Sequence, residues 1–480
     1  MLKNLHEPTT AETGIIRRPI TEVSTKVVPF EPGLAYTSPS RGHWTVAHTP
    51  ILIPDSYMVY LCASACMRGV ALSVLEYEGM DRFSMIMLDD KDIYEGKLEQ
   101  VMIDGICEVI DRLEKHPPIM MVFTSCIHHF IACDSRYIYK TLRERYPDIA
   151  FVPCYMIPTI RKGHITPEEL MHVTLYDALE EPDGQDEKAI NIIGSNLPAD
   201  EKNDYYWLLG AAGYTFRDLP KMKTYDEYKD MSKSSANLYS FPVAHRSAKK
   251  LERRLGQRGV YLPLTYNFSD ISGSLRKLTT TFLLSEEHRE KHCDPKTIFD
   301  DLSDKEIEIC FEVDKIIYTM EKEAWDALKR AKEVIGDTPI AIDHEVLPRY
   351  CSLARMLTEH GFNVKEIYAD VILPEEEEDL KWLQENAPEI EFCATTNYAC
   401  RMADRSQADE AEKNGQKILA IGQKAAYFTG TNHFVNWIEN DGNWGFHAVC
   451  ALADAMIEAY NTESDVPALI QVKAWGCHCG

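Results

Sequence analysis

Short apolar runs recur along this chain, and each is followed by a turn and then by amphipathic, helix-like sequence. Pro118–Thr124, Ala189–Gly194 and Thr338–Asp343 show the theme best. Unbroken apolar runs of strand length suit strands buried on both faces. Strands that alternate with helices build parallel sheets with right-handed crossovers, so the expected fold class is α/β. Further strands are expected at Phe83–Leu88, Ile149–Pro153, Asn237–Ser240, Val260–Leu264, Val364–Tyr368, Ile390–Cys393 and Lys417–Ile421, and a long helix from Asp304 to Ile335.

The chain has 480 residues, room for about three domains at roughly 150 residues each. Polar interruptions suggest the boundaries: an extended arm at 1–30, units at 31–185, 186–303 and 304–460, and a tail at 461–480. Glu180–Glu187 reads as a hinge between the first two units. Lys and Arg total 51 against 76 Asp and Glu, a net charge of −25. That charge repels phosphate backbones, so nucleic acid is not an expected partner. No run reaches the ~18 apolar residues of a membrane span. The start lacks a signal-peptide apolar region, and a cytoplasmic location is expected.

Fourteen cysteines are many for such a chain. Cys310, Cys351 and Cys450 fall within helical or strand patterns and read as small core residues. Cys126 instead ends the apolar run that starts at Pro118, and the pair Cys62 and Cys66 lies upstream. In open α/β sheets ligands occupy the crevice beyond the carboxyl ends of strands. Thiols converging there point to an iron-sulfur cluster rather than a structural staple. If Cys62 and Cys66 are both helical, they share one face. If a strand runs up to Ala63, only Cys66 lies at a helix start, where the positive end of the dipole suits a thiolate ligand. Two packed core residues are the plainer alternative.

A zinc site from Cys126, His128, His129 and Cys133 is conceivable, but neighbouring histidines point apart. Cys477 and Cys479 form a soft-metal or redox pair, or else part of a tail with no site. His433 follows a strand end and a turn; it lines a pocket or bonds backbone. Together with Glu439 it is a candidate catalytic acid. No Gly-x4-Gly-Lys-Ser/Thr and no strand-linked Gly-x-Gly-x-x-Gly occurs, so a reductive enzyme built this way needs an external electron donor.

From about residue 35 to 460 the order of features resembles the nitrogenase component 1 superfamily. Gly42–Pro50 through Cys66-Met-Arg-Gly is similar to the family's first cluster-binding segment. Thr124-Ser-Cys126 followed by Asp134 is similar to its second. Ala189–Leu197, Ser240 before a helix, and Thr265–Phe268 before Ser274–Lys277 follow its middle domain. Phe434–Trp437 through Gly442–Phe446 follows the segment that closes its pocket.

The resemblance implies three doubly wound parallel-sheet (Rossmann-like) domains around a central cleft. It also implies Cys66 and Cys126, with Cys62, as ligands of an iron-sulfur cluster, of the 4Fe–4S type or larger and P-cluster-like. The implied activity is that of an oxygen-sensitive oxidoreductase subunit. It would be fed low-potential electrons by a P-loop, ATP-binding iron-sulfur reductase, would pair with a homologous sister subunit in an α2β2-like complex, and would reduce a small molecule. Three positions depart from the family pattern. Ser38 and Ser40 stand where a third cysteine is usual. Ser240 takes the place of the cysteine that holds a second iron-sulfur-based cofactor. Val435 falls near the place of the cofactor histidine, with His433 two residues away. These departures point to a nitrogenase-like reductase for another substrate, or to a scaffold that carries a metal-sulfur cofactor without turnover.

Overall fold

The computed structural model describes residues 14–30, 36, 38, 45–156, 166–285 and 302–470. Cys477, Cys479, Ser40 and the start of the Gly42–Pro50 motif lie outside the described residues.

The first strand, β1 (Arg17–Pro19), falls inside the expected N-terminal arm. Then β2 (Ser56–Cys62), β3 (Phe83–Met87), β4 (Ile119–Ser125) and β5 (Ala150–Met156) form a parallel sheet in the order β3-β2-β4-β5. A second parallel sheet orders β6 (Asp186–Ile192), β7 (Thr215–Asp218), β8 (Ser234–Tyr239) and β9 (Arg258–Tyr261) as β7-β6-β8-β9. The third contains β10 (Pro339–Asp343), β11 (Asn363–Tyr368), β12 (Glu391–Cys393), β13 (Leu419–Ile421) and β14 (Phe434–Val435). Its order is β1-β12-β11-β10-β13-β14, and only β1 runs antiparallel to its neighbour.

The apolar run in β4 shows why such strands read as unbroken. Ile119, Met121 and Phe123 join Met58 and Tyr60 in one core, while Met120 and Val122 join Val59 and Leu61 in another. Side chains alternate between two covered faces, so neither face needs polar residues. The Tyr60 and Phe123 rings stack with centroids 4.1 Å apart across adjacent strands. Every strand expected from sequence is present, with ends shifted by a few residues. Three were not anticipated as elements, β1, β7 and β14, and β2 entered only as the alternative of a strand running up to Ala63.

Each of these strands has a weaker signature than a long, unbroken apolar run, for its own reason. β1 is exposed and is fastened by Arg17 to Glu366 at 2.9 Å and to Glu391 at 3.0 Å. β7 is a polar edge strand, and β14 has only two residues. β2 is apolar but interleaved with Ser56, Tyr57 and Tyr60.

Among the described residues, one compact unit draws on 42–198 and 214–262 and holds both four-stranded sheets. The other draws on 1–41, 199–213 and 263–480 and holds the six-stranded sheet. The helix Asp304–Ile335 starts at a capping box, in which Ser303 and Glu306 bond each other's backbone N–H. It packs along the helix Gly445–Asn461. No helix among the described residues is long and apolar enough to cross a membrane.

Candidate functional site

In the first sheet the chain runs from β2 to β3 on one side, then returns to place β4 and β5 on the other. The strand order therefore reverses between β2 and β4, which makes a crevice at their carboxyl ends. Leu61 of β2 lies in register with Thr124 of β4, so the strands' last residues are neighbours. Cys62 ends β2. Cys66 lies in the first turn of the helix Ser64–Glu76, and Cys126 opens the helix Cys126–Phe130.

The three thiols differ in access. Cys66 is exposed and Cys126 half-exposed, whereas Cys62 is buried. The Cys62 Sγ lies 3.2 Å from Met67 Sδ. Burial pushes the Cys62 thiol up to about 12, with further contributions from the charges of Cys66 and Cys126. Register sets Cys62 and Cys126 at the ends of adjacent strands, with Cys66 in the first turn of the helix that follows Cys62. The strand therefore runs to Cys62, the helix starts at Ser64, and the two thiols of the pair do not share a helix face.

Neighbouring groups have other duties. The Ser125 N–H donates to His128 Nδ1 at 3.2 Å, which puts the His128 proton on Nε2; burial lowers its pKa. Asp134 caps the helix Ser135–Arg145 by accepting from Tyr137 N–H at 3.1 Å. Burial pushes the Cys133 thiol up to about 12, helped by Glu99. Among the described residues no group of three or more His, Cys, Asp or Glu is arranged to hold a metal ion, the zinc quartet included.

Exposed apolar side chains flank the crevice. Met87 lies in register with Cys62 at the end of β3 and is 63 % exposed. Tyr94 follows on the next helix, while Phe130 and Ile131 follow Cys126; all three are exposed. A groove of about 1240 Å³ opens elsewhere in this unit, along β5 and by Pro118 at the foot of β4. It lies toward the amino ends of these strands, opposite the thiols.

Ser240 occupies the equivalent position in the second sheet. The order reverses between β6 and β8, and Ser240 immediately follows β8, half-buried. Gly194, just past the end of β6, has φ +93°, and a Cβ there would meet the Ala244 Cβ at 2.5 Å. Only glycine allows this close approach.

The third sheet reverses between β10 and β13. At their carboxyl ends Lys424 Nζ pairs with Glu345 Oε1 at 3.1 Å, both buried. The Asp343 carboxylate accepts the N–H groups of Ala425 and Glu345, each at 2.9 Å. Burial and the Glu345 charge push the Asp343 carboxyl up to about 7. Sequence reasoning missed this trio; the signal available was an Asp ending a predicted strand and a Gly-Gln-Lys turn after another.

Glu439 lies over this end of the sheet, its N–H donating to Glu345 O at 3.0 Å. Glu439, Asn440, Asp441 and Gly442 have φ of 48°, 55°, 51° and 71°, one left-handed turn. Such a turn costs about 1–2 kcal/mol per non-glycine residue and persists because neighbours hold it. Tyr266 OH donates to Asn440 Oδ1 at 2.8 Å, and Asn203 Nδ2 donates to Gly442 O at 2.9 Å. His433 precedes β14, at the amino end of that strand. It is buried, with Nδ1 2.9 Å from Ala459 O and 2.8 Å from Thr462 O, and so fastens the end of the last long helix.

Comparison with known proteins agrees with this architecture. Two solved structures of nitrogenase Cp1 are similar to the chain. The one at pH 6.5 has a TM-score of 0.62 and 13 % identity, over 92 % of this chain and 95 % of the other. The one at pH 5 has a TM-score of 0.53 and 14 % identity, over 95 % and 94 %. At that identity the likeness is one of fold. No curated protein sequence matches. The profile of the nitrogenase component 1 type oxidoreductases matches residues 53–459. The chain belongs to the nitrogenase component 1 type oxidoreductase family.

Proposed function

We propose that this chain is one subunit of a nitrogenase-like reductase, and that Cys66 and Cys126 hold an iron-sulfur cluster in the β2/β4 crevice. The observation that carries the reading is two accessible thiols at the carboxyl ends of adjacent parallel strands, one of them in the first turn of a thirteen-residue helix. Accessible sulfur can bind iron as thiolate. The Cys62 thiol is buried, and its Sγ packs 3.2 Å from Met67 Sδ.

Two thiols are too few for a cluster that takes four cysteine ligands. The remaining ligands then come from a second polypeptide, the sister subunit. The exposed Met87, Tyr94, Phe130 and Ile131 supply an apolar surface for that contact. Bound there, the cluster would supply one-electron transfer at low potential, received from an ATP-dependent iron-sulfur reductase. The chain's own residues hold the cluster at the crevice and exclude water from its inner side through Cys62 and Met67. A small substrate would be reduced further along, with Glu439 the acid candidate near the β10/β13 crevice. His433, bonded to two carbonyls, is less suited to proton transfer.

Anaerobic purification followed by iron and sulfide analysis tests this. Cys66→Ala and Cys126→Ala are each expected to lose most of the bound iron, while Cys62→Ala retains it. Equal iron in all three variants would remove the assignment. A second reading, a scaffold that carries a metal-sulfur cofactor without turnover, is favoured by Ser240 at the place of the family's cofactor cysteine. Transfer of bound cluster to an acceptor protein, with no substrate reduced when reductase and ATP are supplied, would select it.

A further inference from the structure

The helix His245–Leu255 divides into two arcs. Ala248, Leu251 and Leu255 are buried in a core shared with the first sheet. At 3.6 residues per turn the opposite arc holds Arg246, Lys249, Lys250, Arg253 and Arg254. This cationic surface stands on a chain whose net charge is −25. Among the described residues two carboxylates meet it. Asp177 Oδ1 is shared by Lys250 Nζ and, at 3.5 Å, by Arg254 Nη1, while Glu169 lies 3.5 Å from Arg246. Lys249 and Arg253 are exposed, and neither has a carboxylate at ion-pair distance among the described residues. Lys250 and Arg254 also line the groove of about 1240 Å³ that runs along Ile149–Pro153. There β5 is the edge of its sheet, paired on one side only, with β4. Ala150 N–H bonds Pro118 O on the β4 side, so by alternation Phe151 turns its N–H and C=O away from β4. Arg143 Nη2 donates to that C=O at 3.3 Å. Asp148 and Asp226 in the groove wall are paired with His116 and Lys229, at 2.8 and 2.6 Å.

We propose that a short, extended acidic segment of another polypeptide lies along β5 in this groove, with its carboxylates against the helix His245–Leu255. The groove is larger than the roughly 300–1000 Å³ of small-molecule pockets, and its strand edge offers backbone groups that suit a polypeptide. Charge selects an acidic one. Lys250 and Arg254 share one carboxylate, so a second completes their pairing, and Lys249 and Arg253 extend the same arc. Asp55 and Glu180 also line the groove, which leaves the helix side as the place for the partner's carboxylates. The apolar arc of the helix is held in the core, so this helix cannot enter a bilayer as a surface-active helix does. Pro153 has no N–H and Arg143 already meets Phe151 O, so the edge accepts a short segment and not a whole strand of a second sheet. The net charge of the chain opposes any polyanion at long range, so the contact depends on this one arc and weakens as salt screens it. The inference goes beyond the redox reading and is independent of it, because none of these residues belongs to the thiol crevice.

Fluorescence anisotropy of a fluorescein-labelled peptide of four Glu-Val repeats, titrated with the full chain, tests it; circular dichroism verifies that each variant is folded. The Glu-Val peptide is expected to bind and a Lys-Val counterpart is not. Lys249→Glu with Arg253→Glu is expected to raise the dissociation constant by about tenfold or more, and the milder Lys249→Gln with Arg253→Gln to raise it by less. N-methylation of alternate peptide residues removes the N–H groups from one edge of a strand. Of the two possible frames, one is expected to abolish binding. Equal binding of the two peptides, unchanged affinity in both double variants, or undiminished binding of both methylated peptides would each overturn the proposal. So would tighter binding of phosphatidylserine vesicles or duplex DNA than of the Glu-Val peptide.

Discussion

Replacing Lys424 by methionine is expected to destabilise the protein by about 3–5 kcal/mol, because it removes the cation from a buried ion pair and leaves the anion behind. Lys424 is 1 % exposed and sits 3.1 Å from Glu345. Asp343 lies at the same crevice and is fully buried. With the ammonium gone, two carboxyls share a low-dielectric site that water does not reach. Lys424→Met with Glu345→Gln is expected to recover much of the loss, since a neutral pair carries no desolvated charge. Urea denaturation of wild type and both variants checks this. A loss under about 1 kcal/mol for the single variant would mean the pair is worth no more than a surface bridge.

Asp204→Ala is expected to cost a comparable amount, about 3–5 kcal/mol, from a lost helix cap and two N–H groups, one buried and one half-buried, left without acceptors. The Asp204 carboxylate accepts the N–H of Phe446 and of His447, at 2.6 and 3.2 Å, at the start of the helix Gly445–Asn461. A Cβ on Gly445 (φ +78°) would lie 2.3 Å from Asp204 Oδ2, so the carboxyl fills the space beside that turn. Burial outweighs the two amide bonds and pushes the Asp204 carboxyl up to about 7.

The sign of the pH dependence follows. The unfolded chain releases this proton near 3.8, the folded chain near 7. Its contribution is fully present below about pH 4 and is lost as pH rises toward 7, up to about 4 kcal/mol for one group. Asp343, also pushed up to about 7, acts in the same direction. Asp204→Asn keeps a cap that cannot ionise. Its stability is expected to fall less steeply than that of wild type between pH 4 and 7, as followed by denaturant midpoints. A slope equal to wild type would show that Asp204 does not titrate in this range.

Legibility varied with how local the cause was. The runs at Ile119–Phe123 and Ile340–Ile342 are apolar because both faces of their strands are covered, so their own residues announce them. The helix Asp304–Ile335 carries its period and its capping box within its own sequence, and its ends were readable. β1 was not, because Arg17–Pro19 is a strand only through its pairing with β12, hundreds of residues later. The same holds for β14, whose two residues are ordered by β13. At the thiol crevice the sequence showed which cysteines end or follow strands. It did not show that Cys62 is buried while Cys66 and Cys126 are accessible, since exposure depends on what packs above a strand end.

What this sequence determined by itself is the α/β class, the family and the presence of thiols near strand ends, because hydrophobic period and residue order are local properties of the chain. Only the tertiary structure decided which strands are neighbours, and with them where each sheet reverses. That order brings Cys62, Cys66 and Cys126 together, sets Ser240 at a second reversal, and joins Asp343, Glu345 and Lys424 at a third. The physical reason is that residues far apart in sequence interact only after loop closure and burial have fixed their distance and removed the water between them.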